Sequence, residues 1–115
     1  HVIITGQGGF SGSVTVGDYA VFGGRAGVTD HVTIGKGARI GLCSVVTKSV
    51  APGETVWGYP ARPANHTKRQ LAALMRLPTF MKRMARLLAR VVSFERRIVG
   101  LEQRIQQLPP THTTP

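Results

Sequence analysis

The sequence predicts a parallel β-helix followed by a basic helical extension, and three observations carry that prediction. An aliphatic or aromatic residue recurs every six positions, at Ile4, Phe10, Val16, Phe22, Val28, Ile34, Ile40 and Val46. A hexad of this kind is the signature of short strands wound into a prism. The composition also changes along the chain. Residues 1–50 hold eleven of the fourteen glycines, whereas residues 66–108 hold ten Lys or Arg against Glu95 and Glu102. Finally, a heptad of apolar residues runs from Phe80 to Leu108.

Each hexad supplies one face of the prism. Its aliphatic residue points inward, and the next residue is small or short and polar (Thr5, Ser11, Gly17, Gly23, Thr29, Gly35, Gly41, Thr47). Glycine there is expected to give the corner its positive φ. Three hexads make a coil of 18 residues, and each coil adds a rung of about 4.8 Å. Residues 1–51 therefore form about 2.7 coils, a short array that needs neighbours or caps. His1 already stands in the hexad phase, so the chain reads as a piece of a longer protein, with the β-helix truncated at its N-terminal end.

Pro52-Gly53 is expected to end the register and open a Pro/Gly-rich loop over 52–65. Trp57 and Tyr59 are expected to pack that loop onto the prism. Cys43 is the single cysteine, which excludes an intrachain disulfide and fits a reducing compartment. It reads as a small buried apolar residue.

The helical extension covers 66–108. Asn65 is placed to cap a helix that starts near His66 and stops before Pro78. A second helix follows, with Met84, Val91, Ile98 and Ile105 at heptad position a. Phe80, Leu87, Phe94, Leu101 and Leu108 stand at d. Position g carries Arg83, Arg90, Arg97 and Arg104, and e carries Glu95 and Glu102. The pairs Arg90–Glu95′ and Arg97–Glu102′ are those of a parallel coiled coil. A trimer accommodates Phe at d and lets three prisms share one axis; the alternative is an amphipathic helix folded back on its own β-helix. Pro109-Pro110 ends the helix, and 109–115 is expected to be a disordered tail.

The formal net charge of +10 calls for an acidic partner: nucleic acid, an anionic membrane surface or an acidic protein. Nucleic acid is disfavoured, because the g arginines have glutamate partners and no aromatic residues interleave the basic stretch. No signal peptide is visible, and no apolar run approaches the roughly 20 residues of a bilayer span. The period of 18 stacks Gly12, Asp30 and Lys48 on one edge, with His31 beside Asp30. On such an edge, outward polar residues are either simply solvated or part of a site.

The segment Gly-Gly-Arg-Ala-Gly-Val-Thr-Asp-His-Val-Thr-Ile-Gly within Val21–Val46 resembles the hexapeptide-repeat acyltransferases. Gln7-Gly8-Gly9-Phe10-Ser11-Gly12-Ser13, Val46-Thr47-Lys48 and Trp57-Gly58-Tyr59-Pro60-Ala61-Arg62-Pro63 narrow the resemblance to the C-terminal part of the UDP-3-O-acylglucosamine N-acyltransferases of lipid A biosynthesis. The resemblance covers about residues 1–76, and the heptad region only in kind. It implies a left-handed β-helix followed by C-terminal helices, assembled as a homotrimer with the active site between prisms.

The implied reaction moves a 3-hydroxyacyl chain from the phosphopantetheine of acyl carrier protein to the 2-amino group of a UDP-linked, 3-O-acylated glucosamine lipid precursor. It takes place in the cytoplasm of a Gram-negative-type bacterium, with no cofactor or metal bound. By the same resemblance, Gly12 presents the oxyanion N–H and His31 stabilises charge near the reacting centre. Val45 and Thr47 line the acyl chain, and Lys48 stands at the carrier-protein entrance. Lys68, Arg69 and Arg76 are suited to dock the acidic carrier protein. The family's general-base histidine falls about seven residues before His1, outside this chain, so the 115-residue chain is expected to be catalytically silent. Other readings are a different hexapeptide-repeat transferase of sugar nucleotides, a non-catalytic trimerisation or binding module, and a zinc site as in γ-class carbonic anhydrases. For zinc, only His31 is well placed, because His66 and His112 lie in the helical linker and tail.

Overall fold

A computed structural model describes residues 1–110 and shows a β-solenoid of about three turns followed by a single helix. The chain divides into two units, His1–Leu74 and the residues from Met75 onward. Eight two-residue strands make the regular coils: β1 (Ile3–Ile4), β2 (Gly9–Phe10), β3 (Thr15–Val16), β4 (Val21–Phe22), β5 (Gly27–Val28), β6 (Thr33–Ile34), β7 (Arg39–Ile40) and β8 (Val45–Val46). Three further elements follow: β9 (Thr55–Trp57), β10 (Arg62–Pro63) and α1 (Ala64–Gln107).

The predicted period is met rung by rung. Ile3 pairs with Val21, Gly9 with Gly27, Thr15 with Thr33, Val21 with Arg39 and Gly27 with Val45, all in parallel. Three sheets result, one per face, in the orders β1-β4-β7-β9-β10, β2-β5-β8 and β3-β6. The inward residues Phe22, Val28, Ile34, Ile40, Val46 and Val56 form the core. Phe10 meets Phe22 edge-to-face at 5.0 Å between ring centroids, a favoured aromatic geometry. In the first coil Ile4 and Phe10 remain exposed.

The corners differ from the sequence expectation. Positive φ falls not on the residue after the inward aliphatic but two residues later, at Gln7, Ser13, Tyr19, Arg25, His31, Gly37 and Cys43. Six of these are not glycine. The glycines beside the inward residues answer a different constraint, the approach of the next coil. A Cβ on Gly17 would lie 2.6 Å from the Lys36 nitrogen, and one on Gly23 would lie 2.5 Å from that of Leu42. A Cβ on Gly35 would lie 2.4 Å from the Pro52 nitrogen.

Pro52-Gly53 does not end the register. Gly53 has φ +71° and donates to Lys36, just as Gly37 has φ +70° and donates to Asp18. The register is reset one corner earlier, at Lys48-Ser49. Val50 bridges Ile34, and β9 pairs Thr55 with Arg39 and Val56 with Ile40, so the last coil is two residues shorter. Val50 and Val56 then take inward places that the unbroken hexad count misses. Consequently the stretch 52–65 contains a corner and two strands, with β10 antiparallel to β9.

The helical end is also corrected: there is one helix where two were expected. It begins at Ala64 directly after β10, so Asn65 lies in the first turn and does not cap it. Pro78 is inside the helix, where it forgoes one backbone hydrogen bond. Leu71-Ala72-Ala73-Leu74-Met75, strong helix formers, precede it. No helix among the described residues is long and apolar enough to cross a membrane. Residues 111–115, most of the expected tail, lie outside the described residues.

The rung contacts give a direct test. Gly23→Ala is expected to destabilise by about 1–3 kcal/mol, because its methyl group meets backbone and not a yielding side chain. Gly9→Ala, whose added Cβ meets nothing within 4 Å, should change stability by less than about 0.5 kcal/mol. Urea melts of the two variants compare these values, and equal losses would remove the close-approach explanation.

Candidate active site on the second prism edge

From the second coil onward, most corners repeat one backbone pattern. The residue with positive φ donates its N–H to the coil before it: Arg25 to Gly6, His31 to Gly12 at 3.1 Å, and Cys43 to Gly24 at 2.8 Å. The N–H of the residue just before it forms no hydrogen bond within the described residues, and this holds at Gly6, Gly12, Gly24, Asp30 and Leu42. Successive coils therefore present a ladder of unpaired N–H groups along each edge. A buried orphan donor would be costly, but at exposed corners water satisfies it.

On the second edge the chemistry-bearing residues gather on this ladder. Gly12 offers its N–H with no side chain over it, and a Cβ there would meet nothing within 4 Å. One coil on, Asp30 stacks at the same place, with His31 bonded to the Gly12 carbonyl. The His31 Nε2 lies 3.9 Å from Asp30 Oδ2, and their side chains are 77% and 70% exposed. That separation is beyond hydrogen-bond length and within ion-pair range. His31 has φ +56°, a conformation uncommon for non-glycine residues but one in which Asn, Asp and His are enriched.

Lys48 sits in the shortened corner between Val46 and Val50. The equivalent bond from Ser49 N–H to Asp30 is not formed; instead Ser49 Oγ accepts from Thr33 N–H at 3.0 Å. Val45 is half-buried on β8 and packs over Gly27, while Thr47 and Lys48 are exposed. Lys68, Arg69 and Arg76 are exposed on α1. The column thus unites Gly12, Asp30 and His31, and Lys48 lies in the shortened corner that follows β8.

The first edge holds a feature that the motifs did not indicate. A groove of about 610 Å³ is lined by Leu42, Trp57, Tyr59, Leu71 and Leu74, with Arg62 and His66 among its polar residues. Trp57 is half-buried as expected, its Nε1–H donating to the Leu42 carbonyl at 3.2 Å. Tyr59 is 80% exposed and does not pack on the prism. Cys43 is exposed too, since it occupies a corner; Ser44 is buried in its place and its Oγ accepts from Gly58 N–H at 3.1 Å. Thr67 anchors the start of α1, donating to the Trp57 carbonyl at 2.7 Å. A buried Thr in an otherwise exposed first turn is legible only once the loop is folded.

The comparisons with known proteins agree with the motif reading. The chain is 56% identical over 68 residues to the UDP-3-O-acylglucosamine N-acyltransferase of Caulobacter sp. (strain K31), covering 59% of this chain and 20% of that protein. It is 44% identical over 77 residues to the enzyme of the same name from Methylobacterium sp. (strain 4-46), covering 67% of this chain and 22% of the relative. The chain therefore spans about a fifth of the length of the curated relatives it matches. Among solved structures it is similar to a serine acetyltransferase of Neisseria gonorrhoeae, at 40% identity over 44% of this chain and 20% of that one, with a TM-score of 0.43. No protein-family profile matches the chain.

The Thr67 contact yields a stability prediction. Thr67→Val removes the hydroxyl and leaves the Trp57 carbonyl without that donor, which should cost about 1–2 kcal/mol. Thr67→Ser should retain most of the stability. Thermal melts decide, and equal melting of the two variants would show that the hydrogen bond does not anchor the helix.

Proposed function

We propose that this chain is the β-helical and C-terminal helical part of an N-acyltransferase acting on UDP-3-O-acylglucosamine. The observation that carries the reading is sequence similarity to relatives of that name, and the Gly12–Asp30–His31 edge supplies groups suited to the chemistry. The acyl donor is a 3-hydroxyacyl thioester on the phosphopantetheine of acyl carrier protein, and the enzyme works in the cytoplasm on a lipid A precursor.

In this reading the 2-amino group attacks the thioester carbonyl, forming the amide C–N bond. The carbonyl oxygen becomes an oxyanion held by the unpaired Gly12 N–H. His31, one coil on, stabilises the same developing charge. A general base takes the amine proton, the C–S bond breaks, and the departing thiolate of the carrier arm takes up a proton. That base is a histidine one coil ahead of Gly12, beyond the residues of this chain. Val45 and Thr47 bound the acyl chain. Lys48 stands at the entrance, with Lys68, Arg69 and Arg76 attracting the acidic carrier protein.

The assembly is a homotrimer with each site between neighbouring prisms. Its parallel axis is reinforced at the C-terminal end of α1 by the matched pairs Arg90–Glu95′ and Arg97–Glu102′.

The test uses the longer enzyme. His31→Asn suits the corner, because Asn tolerates positive φ. It should leave thermal stability nearly unchanged and lower kcat/KM about 10–100-fold. The 115-residue chain alone should show no N-acyl transfer. Activity within about twofold of wild type for His31→Asn would remove His31 from the mechanism. Transfer by the short chain would overturn the assignment of the base.

A further inference from the structure

The groove beside Trp57 takes no part in the proposed reaction, yet its walls are fixed. All its lining residues fall within the unit His1–Leu74, and the heptad seam starts only at Phe80. The Trp57 ring lies against Gly41, where an added Cβ would come within 2.5 Å of Trp57 Cδ1. Its Nε1–H is held by the Leu42 carbonyl at 3.2 Å, and the Trp57 carbonyl accepts from the Thr67 hydroxyl at 2.7 Å. The fold thus sets the place and tilt of the indole before anything binds, which lowers the cost of binding. Tyr59 adds a second ring, 80% exposed.

The polar groups of the lining select a charge. Arg62 is permanently cationic, and it donates one N–H to the Ala61 carbonyl at 2.8 Å while keeping the rest of its fork. Among the described residues no carboxylate pairs with it, and no Asp or Glu lines the groove. His66 and Gln70 can donate from α1, and the Leu42 N–H is one of the unpaired backbone donors of the first edge. Such a lining repels a cation and attracts an anion.

Size and rigidity narrow the ligand further. At about 610 Å³ the groove has the dimensions of a small-molecule site. An immobile indole face favours a flat body, because offset stacking needs a parallel partner plane. A flexible aliphatic chain would lose rotamer freedom on ordering and gain no stacking.

We propose that this groove is a binding site for a small planar aromatic carboxylate. The ring system stacks on Trp57 with Tyr59 beside it, and the carboxylate pairs with the Arg62 fork, which matches it in a bidentate geometry. The site is separate from the Gly12–His31 edge, and the inference does not depend on the catalytic reading.

Binding of 2-naphthoate to the 115-residue chain tests it, with calorimetry giving the affinity. Trp57 and Cys43 are the only tryptophan and the only cysteine of the chain, and both line the groove. Indole emission and the rate of Cys43 alkylation therefore report on this site alone. The expected Kd is below about 1 mM. At ten times its Kd, the ligand should slow alkylation of Cys43 about tenfold. The neutral analogue 2-naphthalenemethanol and the aliphatic acid undecanoate should each bind at least about tenfold more weakly. Arg62→Gln, which retains a donor for the Ala61 carbonyl, should weaken 2-naphthoate at least about tenfold. Tyr59→Ala removes an exposed ring, so thermal stability should be kept while affinity falls about 2–10-fold.

Four results would overturn the proposal. They are no saturable binding of 2-naphthoate, equal binding of undecanoate, equal binding of the neutral alcohol, or binding that leaves Cys43 unprotected. Undiminished affinity in both variants would count against it equally, because the ligand would then sit elsewhere on the chain.

Discussion

The parallel stacking of one coil on the next is the constraint from which the rest of unit His1–Leu74 follows. Two-residue strands are too short to hold together alone, so each depends on backbone bonds to the coils above and below it. Those bonds require close, regular spacing, which is why Gly17, Gly23 and Gly35 stand where a Cβ would strike the next coil's backbone. The inward Phe22, Ile34 and Val46 fill the space that this spacing defines. Burial of each supplies about 1.5–3 kcal/mol towards the entropy of ordering the coil.

The same stacking generates the candidate chemistry. Where a corner is turned by one residue at positive φ, the preceding N–H is left without a partner, so unpaired donors recur along the edges. On the first edge Gly6 and Gly24 offer the same backbone group, but their coils supply Gln7 and Arg25, which bond each other at 2.6 Å. On the second edge the ladder carries Gly12 with an imidazole and a carboxylate one coil away. The fold supplies the donor, and the side chains placed on it distinguish one edge from the next.

Much of this was legible in the sequence, and the failures have physical causes. The hexad count located eight positions of the inward phase, because packing there favours large apolar side chains. It could not reveal the corner geometry: Tyr19, Arg25 and Cys43 take positive φ although their residue types do not announce it. It also ran through Lys48-Ser49, where Val50 fits the small or β-branched pattern of the old phase and the inward place of the new one. That two-residue reset explains why the corner after Lys48 lacks the bond that His31 makes to Gly12. Pro78 misled for a related reason, since a local penalty of about 3 kcal/mol is spread over a long helix rich in Ala, Leu and Met. The groove beside Trp57 was invisible because it arises from β9, β10 and Thr67 meeting across the chain.

The central claim is that stacked coils leave the N–H before each positive-φ residue unpaired and facing outward on the Gly12–His31 edge. Residue-resolved amide hydrogen exchange tests it most directly. Thr29 and His31, which donate to Val46 and Gly12, should be protected. Asp30 between them should exchange at least about a hundredfold faster. Equal protection at all three amides would contradict the account, because the N–H ladder on which the proposed oxyanion site rests would then be internally bonded.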